Sequence, residues 1–274
     1  MTQTQARPVD AAAVVSPGAL PAISVRNLRM GYGARVLLDN ASFEVSRGEI
    51  VVILGGSGSG KSSLMKNIIG LYQPMAGDIL IDGKSLVAAN ADQKARLQRT
   101  LGVMYQSGAL FGSMNVLENV RFPLDQFTDL TLASKNLTAR MILHQVEMGY
   151  AESLMPGELS GGMLKRAGIA RAMALGCDIL LLDEPSAGLD PITAANLDLT
   201  ILSLRKHLGF TFVVVTHELQ SIFAIADRAI MLDPVSRSII AAGRPADLRD
   251  HSTDLRVRQF FNRQPDVHEQ RVSN

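Results

Sequence analysis

Eight consecutive residues, Gly55-Gly56-Ser57-Gly58-Ser59-Gly60-Lys61-Ser62, carry the strongest chemical signal in the chain. They fit the pattern G-x-x-x-x-G-K-[ST], and Ser63 extends the polar run. Glycines at this density let successive backbone N–H groups turn into one concavity, which suits an anion. The apolar, β-branched run EIVVIL precedes the loop and the helix-like SSLMKNIIGLY follows it. A helix N-terminus at that place adds partial positive charge. The chemistry expected is phosphate binding: the loop cradles a nucleoside triphosphate, Lys61 reaches the β- and γ-phosphates, and the Ser62 hydroxyl ligates Mg²⁺. ATP and Mg²⁺ are the expected ligands.

A second apolar run, ILLLDE, ends in two carboxylates, Asp183 and Glu184. In an open parallel sheet ligands sit beyond the C-terminal strand ends. Asp183 is therefore expected to hold the metal, directly or through its waters. Glu184 is free to polarise an attacking water as a general base. His217 follows a third such run, FTFVVVT, and alone among the five histidines stands at a strand end. It is placed to contact the γ-phosphate and the water, although a satisfied structural histidine is the simpler reading of that residue by itself.

Leu159-Ser160-Gly161-Gly162-Met163 opens another helical segment, expected over Leu164–Leu175. Ser160 is a good N-cap, and its glycines expose backbone N–H groups. The turn reads either as a capped helix or as a second anion site. One nucleotide needs one phosphate loop, so a second site demands a reason.

These groups need a scaffold that delivers strand ends to one place. Strand-like runs (ISVRNLRMGY, ASFEV, EIVVIL, GDILIDG, CDILLLDEP, FTFVVVTHE, RAIML, SIIAAG) alternate with helix-compatible stretches. Helices are expected around Ala91–Thr100, Val116–Arg121, Ala133–Met148 and Ile192–Leu208. Alternation of this kind indicates an α/β fold with a parallel sheet. The organisation expected is a leader over 1–22, rich in Ala and Pro and flexible, a nucleotide-binding domain over 23–243, and a C-terminal extension over 244–274. The block between about 107 and 167 is less β-like and reads as a helical subdomain. The chain has 274 residues, of which 47% are hydrophobic, enough for a sizeable core. Its formal net charge of +1 gives no global field for nucleic acid. The single cysteine, Cys177, rules out an internal disulfide and reads as a small buried residue. No apolar run approaches the ~18 residues needed to span a bilayer, and no secretory signal is visible.

Taken together, Gly55–Ser62, Gln106, LSGG at 159–162, ILLLDEP at 179–185, SAGLD at 186–190 and His217 resemble the nucleotide-binding subunits of ABC transporters. The match spans about Ile23 to Ile240. The resemblance implies a P-loop, RecA-like core with antiparallel β and α-helical subdomains. It also implies a head-to-tail dimer of two copies, with Ser160, Gly161 and Gly162 of each capping the γ-phosphate in the partner's cradle. Tyr32 matches the aromatic that stacks on adenine, Gln106 the loop that touches Mg²⁺ and relays to the permease, and Asp190 the cross-dimer loop. One departure is Met163, where the family usually carries Gln. A thioether cannot donate an amide's hydrogen bonds, but the serine and two glycines are intact.

Tyr105-Gln106-Ser107-Gly108-Ala109-Leu110-Phe111 with SMNVLENV, LSGGM and EPSAGLDPI further resembles the ATPases of bacterial Mla-type phospholipid transport systems, which work with MCE proteins. That resemblance implies an integral membrane permease, an MCE-type lipid-binding protein and a small accessory subunit as partners. It places the chain at the cytoplasmic face of the bacterial inner membrane, driving phospholipid movement between inner and outer membranes. Other readings are an ATPase of a different importer or exporter, a non-transport ABC protein, or a phosphate-loop binding protein without turnover. One phosphate loop, one LSGG and no heptad array speak against the second, and intact Glu184 and His217 against the third. Finally, the tail Arg256–Asn262 is expected to pack on the neighbouring protomer through Phe260 and Phe261.

Overall fold

A computed structural model describes residues 20–264; most of the expected leader and the last ten residues lie outside them. The chain runs β1 (Ile23–Tyr32), β2 (Arg35–Val45), β3 (Ile50–Gly55), α1 (Lys61–Ile68), β4 (Ala76–Ile81), β5 (Lys84–Ser85), α2 (Ala91–Gln98) and β6 (Leu101–Met104). A helical block follows, with α3 (Val116–Phe127), α4 (Leu132–Gln145) and α5 (Gly161–Met173). Then come β7 (Ile179–Asp183), α6 (Pro191–Leu208), β8 (Thr211–Val215), α7 (Leu219–Ile225), β9 (Arg228–Asp233), β10 (Ser238–Gly243), α8 (Pro245–His251) and α9 (Leu255–Phe261).

The strands form two sheets. One is antiparallel in the order β2-β1-β4-β5; the other has six strands in the order β10-β9-β3-β8-β7-β6. In the second, β6, β7, β8, β3 and β9 run parallel and only β10 is antiparallel. This is the α/β nucleotide-binding architecture expected, with a separate antiparallel sheet. The uninterrupted apolar runs follow from burial on both faces. Ile50, Val52 and Leu54 of β3 share one core with Leu180, Leu182, Phe212 and Val214 and with α3 to α7. Val51 and Ile53 face a second core with Leu181, Val213, α1 and the antiparallel sheet. Period-two alternation therefore divides one sheet between two hydrophobic layers.

Several element boundaries differ from expectation. The helix expected to stop at Arg121 continues to Phe127 across Pro123, because Asn115 and Glu118 cap its start reciprocally and Val120 and Leu124 are buried beneath it. α4 begins at Leu132, since the Thr131 hydroxyl accepts from Ser134 N–H. The short strand β6 lies in a stretch read as helical or irregular; it pairs with β7 along its whole length.

The tail is also corrected. Phe261 is 4% exposed. It packs on Phe223 of α7 at 5.8 Å between ring centroids and shares a core with Leu248 and Val257. Phe260 packs edge-on against it. Phe261, expected to reach a neighbouring protomer, closes the core of its own subunit, while Phe260 stays partly exposed.

Candidate nucleotide-binding and hydrolysis site

The order of the parallel strands builds the site. Moving across the sheet from β3 through β8 and β7 to β6, the C-terminal ends deliver Gly55–Ser62, then His217, then Asp183 and Glu184, then Gln106. The register is level: Ile53 and Asp183 both pair with Val215, and Leu182 pairs with Met104. Residues more than a hundred apart in sequence thus line one edge.

The phosphate loop has the backbone its glycines were expected to supply. Gly58 and Gly60 sit at φ 75° and 93°, a region that L side chains disfavour. Gly60 precedes α1 with no side-chain cap, so the first N–H groups of that helix keep their donors for a ligand. Lys61 Nζ donates to the carbonyls of Gly55 at 2.7 Å and Gly56 at 3.1 Å, which arches the side chain back over its own loop. Burial pulls its pKa below the usual lysine value, and the charges of Glu184 and Asp183 oppose that shift. Both carboxylates therefore lie close enough to act on the Lys61 charge.

Tyr32, at the end of β1, is half exposed, and its hydroxyl lies 2.8 Å from Ser63 Oγ. With Arg35, Leu37, Gly58, Gly60, Lys61 and Ser62 it lines a cavity of about 310 Å³. Tyr72 meets its ring edge-on at 5.6 Å, a neighbour that sequence reasoning missed.

A larger cleft of about 710 Å³ adjoins it, lined by Ser62, Lys66, Gln106, Gly161, Lys165 and Asp183 among others. Burial raises the Asp183 pKa first and the Glu184 charge second; Lys66, Ser62 and Lys61 pull it back. Asp183 Oδ1 and Glu184 Oε2 are buried without any hydrogen-bond partner. Oxygen atoms held dry and unpaired are costly unless a ligand satisfies them. Hard oxygen donors from Ser62 and Asp183, with Gln106 lining the same cleft, suit Mg²⁺. Among the described residues no cluster of three His, Cys, Asp or Glu could hold a metal by itself.

Glu184 adopts φ 47°, a left-handed backbone that a glutamate rarely takes. The bend lets its N–H reach Val215 O at 2.8 Å while its side chain turns to His217. His217 Nδ1 lies 2.9 Å from Glu184 Oε1. Sequence reasoning gave the two residues separate tasks; the structure pairs them.

Ser160 caps α5 as expected, its Oγ accepting from Met163 N–H, but the helix begins at Gly161 rather than Leu164. Gly162 leaves no room for a side chain, since a Cβ there would meet Thr193. Asp190 caps α6 through Ile192 and Thr193 N–H and holds the Thr193 hydroxyl. Those bonds place its carboxyl below the usual range. Ser160, Gly161 and Asp190 are solvent-exposed, consistent with a surface that meets another molecule. Sequence reasoning also missed Lys165, a lysine in a helix of small and apolar residues. The signal was its three-residue spacing to Gly168, on the buried face.

Comparison with known proteins agrees with this geometry. The ABC transporter family profile matches residues 38–187. The chain is 40% identical over 240 residues to the intermembrane phospholipid transport system ATP-binding protein MlaF of Escherichia coli K12, covering 88% of each chain. It is 36% identical to the "Probable ribonucleotide transport ATP-binding protein mkl" of Mycobacterium tuberculosis H37Rv, covering 88% of this chain and 66% of that one. The solved dimer of the ATP-binding cassette MJ0796 with ADP and phosphate superimposes with a TM-score of 0.72 at 28% identity, covering 81% of this chain and 98% of that one. The chain belongs to the ABC transporter family, as one of its ATPase subunits.

Proposed function

We propose that two copies of this chain close head to tail on two ATP molecules and drive a membrane permease that moves phospholipid between the inner and outer membranes of a bacterial envelope. The observation that carries the ATPase part is the single sheet edge that collects the phosphate loop, Asp183, Glu184, His217 and Gln106. The phospholipid part rests on the similarity to MlaF. The chain would work at the cytoplasmic face of the inner membrane, with a permease, an MCE-type lipid-binding protein and a small accessory subunit. Among the described residues no helix is long and apolar enough to cross a membrane.

The residues divide the work. The N–H groups of Gly55 to Ser63 and Lys61 hold the phosphates, and Tyr32 offers its ring to the base. Ser62, Asp183 and Gln106 would hold Mg²⁺, which supplies Lewis-acid charge to the phosphoryl oxygens. Glu184 takes a proton from water on Oε2, while its other oxygen is held in place by His217. Ser160 to Gly162 of one copy meet the γ-phosphate in the other's cradle, and Asp190 sits at the seam. ATP favours closure because those contacts exist only in the closed pair; hydrolysis removes them.

Purification of the native complex in mild detergent, followed by mass spectrometry, tests the assignment. Recovery of an integral membrane permease with co-purified phospholipid is the expected result. Recovery with a ribonucleotide-binding partner and no lipid would move the assignment to another class of ABC transporter.

A further inference from the structure

Lys165 has no part in the phosphate chemistry above, yet it is only 6% exposed. Its Nζ donates to the backbone carbonyl of Gln106 and, at 3.4 Å, to that of Glu184. Burial pulls its pKa below the usual lysine value, and the charges of Glu184 and Asp183 oppose that shift. A buried ammonium that lacked these partners would be strongly unfavourable, so the contacts decide where the side chain stays.

The rest of α5 continues the grip. Gly168 lies three residues on, and a Cβ there would stand 3.2 Å from both the Cα and the carbonyl oxygen of Gly108. Arg171, three residues further, donates to the carbonyls of Ala109 at 2.6 Å and Gly108 at 3.2 Å. Residues three apart share a helix face. One stripe of α5 is therefore fastened along the main chain of 106–109, and only its first member also reaches the base.

We propose that Lys165 is a positioning residue: by pinning the carbonyls of Gln106 and Glu184 to α5, it fixes the metal-side loop and the general base relative to the Ser160–Gly162 turn. This inference rests on the sandwich dimer proposed above. Seating that turn on the partner's triphosphate then sets the register of the base in the turn's own subunit. Lys165 touches neither nucleotide nor water in this scheme, and its effect passes through Glu184 and Gln106.

The test compares Lys165→Met and Lys165→Arg with wild type in the detergent-solubilised transport complex. Methionine keeps the length and apolar stem but removes the donor; arginine keeps charge and donors. Lys165→Met is expected to lower kcat about tenfold or more while KM for ATP changes less than about twofold, and Lys165→Arg to recover most of the rate. Thermal unfolding checks that the variants are folded. Lys165→Met at wild-type kcat would overturn the inference. So would loss of rate shared equally by both variants together with a lowered Tm, which marks simple packing. Glu184→Gln is run alongside as a dimerisation control. If that variant fails to dimerise with ATP, the sandwich reading fails and takes this inference with it; if it dimerises and Lys165→Met is normal, only the inference fails.

Discussion

His217 Nδ1 stands 2.9 Å from Glu184 Oε1. A carboxylate only accepts hydrogen bonds, so the proton on that ring nitrogen points at Glu184, and Nε2 lies 3.7 Å from Glu218 Oε1. The bond fixes one oxygen of the base, while the other, Oε2, is buried without a partner. Oε2 is therefore the oxygen with hydrogen-bonding capacity to spare. His217→Ala is therefore expected to leave ATP affinity within a few-fold and to lower kcat by about 10²-fold, the low end for a positioned acid–base group. Steady-state ATPase kinetics of the assembled complex check it. A loss in KM with kcat unchanged would mean that the imidazole contributes to binding rather than to the base.

Glu184→Gln keeps the size of the side chain and a hydrogen-bonding partner for His217 but cannot take a proton. Turnover is expected to fall by roughly 10²–10⁴, with ATP still bound and the dimer trapped closed. Size-exclusion chromatography with light scattering, with and without ATP, reads the trapped dimer directly. The double variant with His217→Ala should be little slower than Glu184→Gln alone, because residues that act as a unit are non-additive.

Lys61→Ala removes the ammonium that bonds to the carbonyls of Gly55 and Gly56. The cradle N–H groups remain, so weak nucleotide binding is expected to persist while ATPase activity disappears. A fluorescent nucleotide titration beside the activity assay separates the two. Unchanged turnover would remove Lys61 from the mechanism.

The parts of the site that are contiguous in sequence were legible from it: the phosphate loop between a strand and a helix, the acid pair at a strand end, the Ser160 cap. Each is a local signal whose chemistry follows from neighbouring residues. What was not legible depends on sheet order. That β8 lies between β3 and β7, bringing His217 onto Glu184, is a pairing of distant strands, and no local pattern encodes it. β6 was missed because four residues, Leu101–Met104, carry too little periodicity to mark a strand; pairing with β7 makes it one. Lys165 was passed over because a lysine in a helix usually faces solvent, and it is the docking of α5 on the main chain of 106–109 that buries this one.

Cys177 supplies a probe of folding. It is 4% exposed, and burial pushes its thiol up to about 12. Thiolate is the reactive form, so almost none exists near neutral pH. A thiol reagent at pH 8 is expected to leave the native chain unmodified and to titrate one thiol after denaturation, since the chain has one cysteine. Rapid labelling of the native protein would contradict that placement.

The C-terminal segment gives the last test, because its two readings predict different losses. Phe261 fills a core position against Phe223 beside Val257 and Leu248. Truncating such an aromatic to alanine costs about 3–5 kcal/mol, from lost transfer energy and the cavity left behind. Phe261→Ala should therefore lower the unfolding midpoint of the isolated subunit, where no partner is present to be lost. Phe260 is only partly buried, so Phe260→Ala should cost less. Denaturant unfolding of both variants at low protein concentration decides the matter. If Phe261→Ala unfolds like wild type but weakens ATP-dependent dimerisation, the tail acts between subunits after all, and its contacts inside this one are incidental to stability.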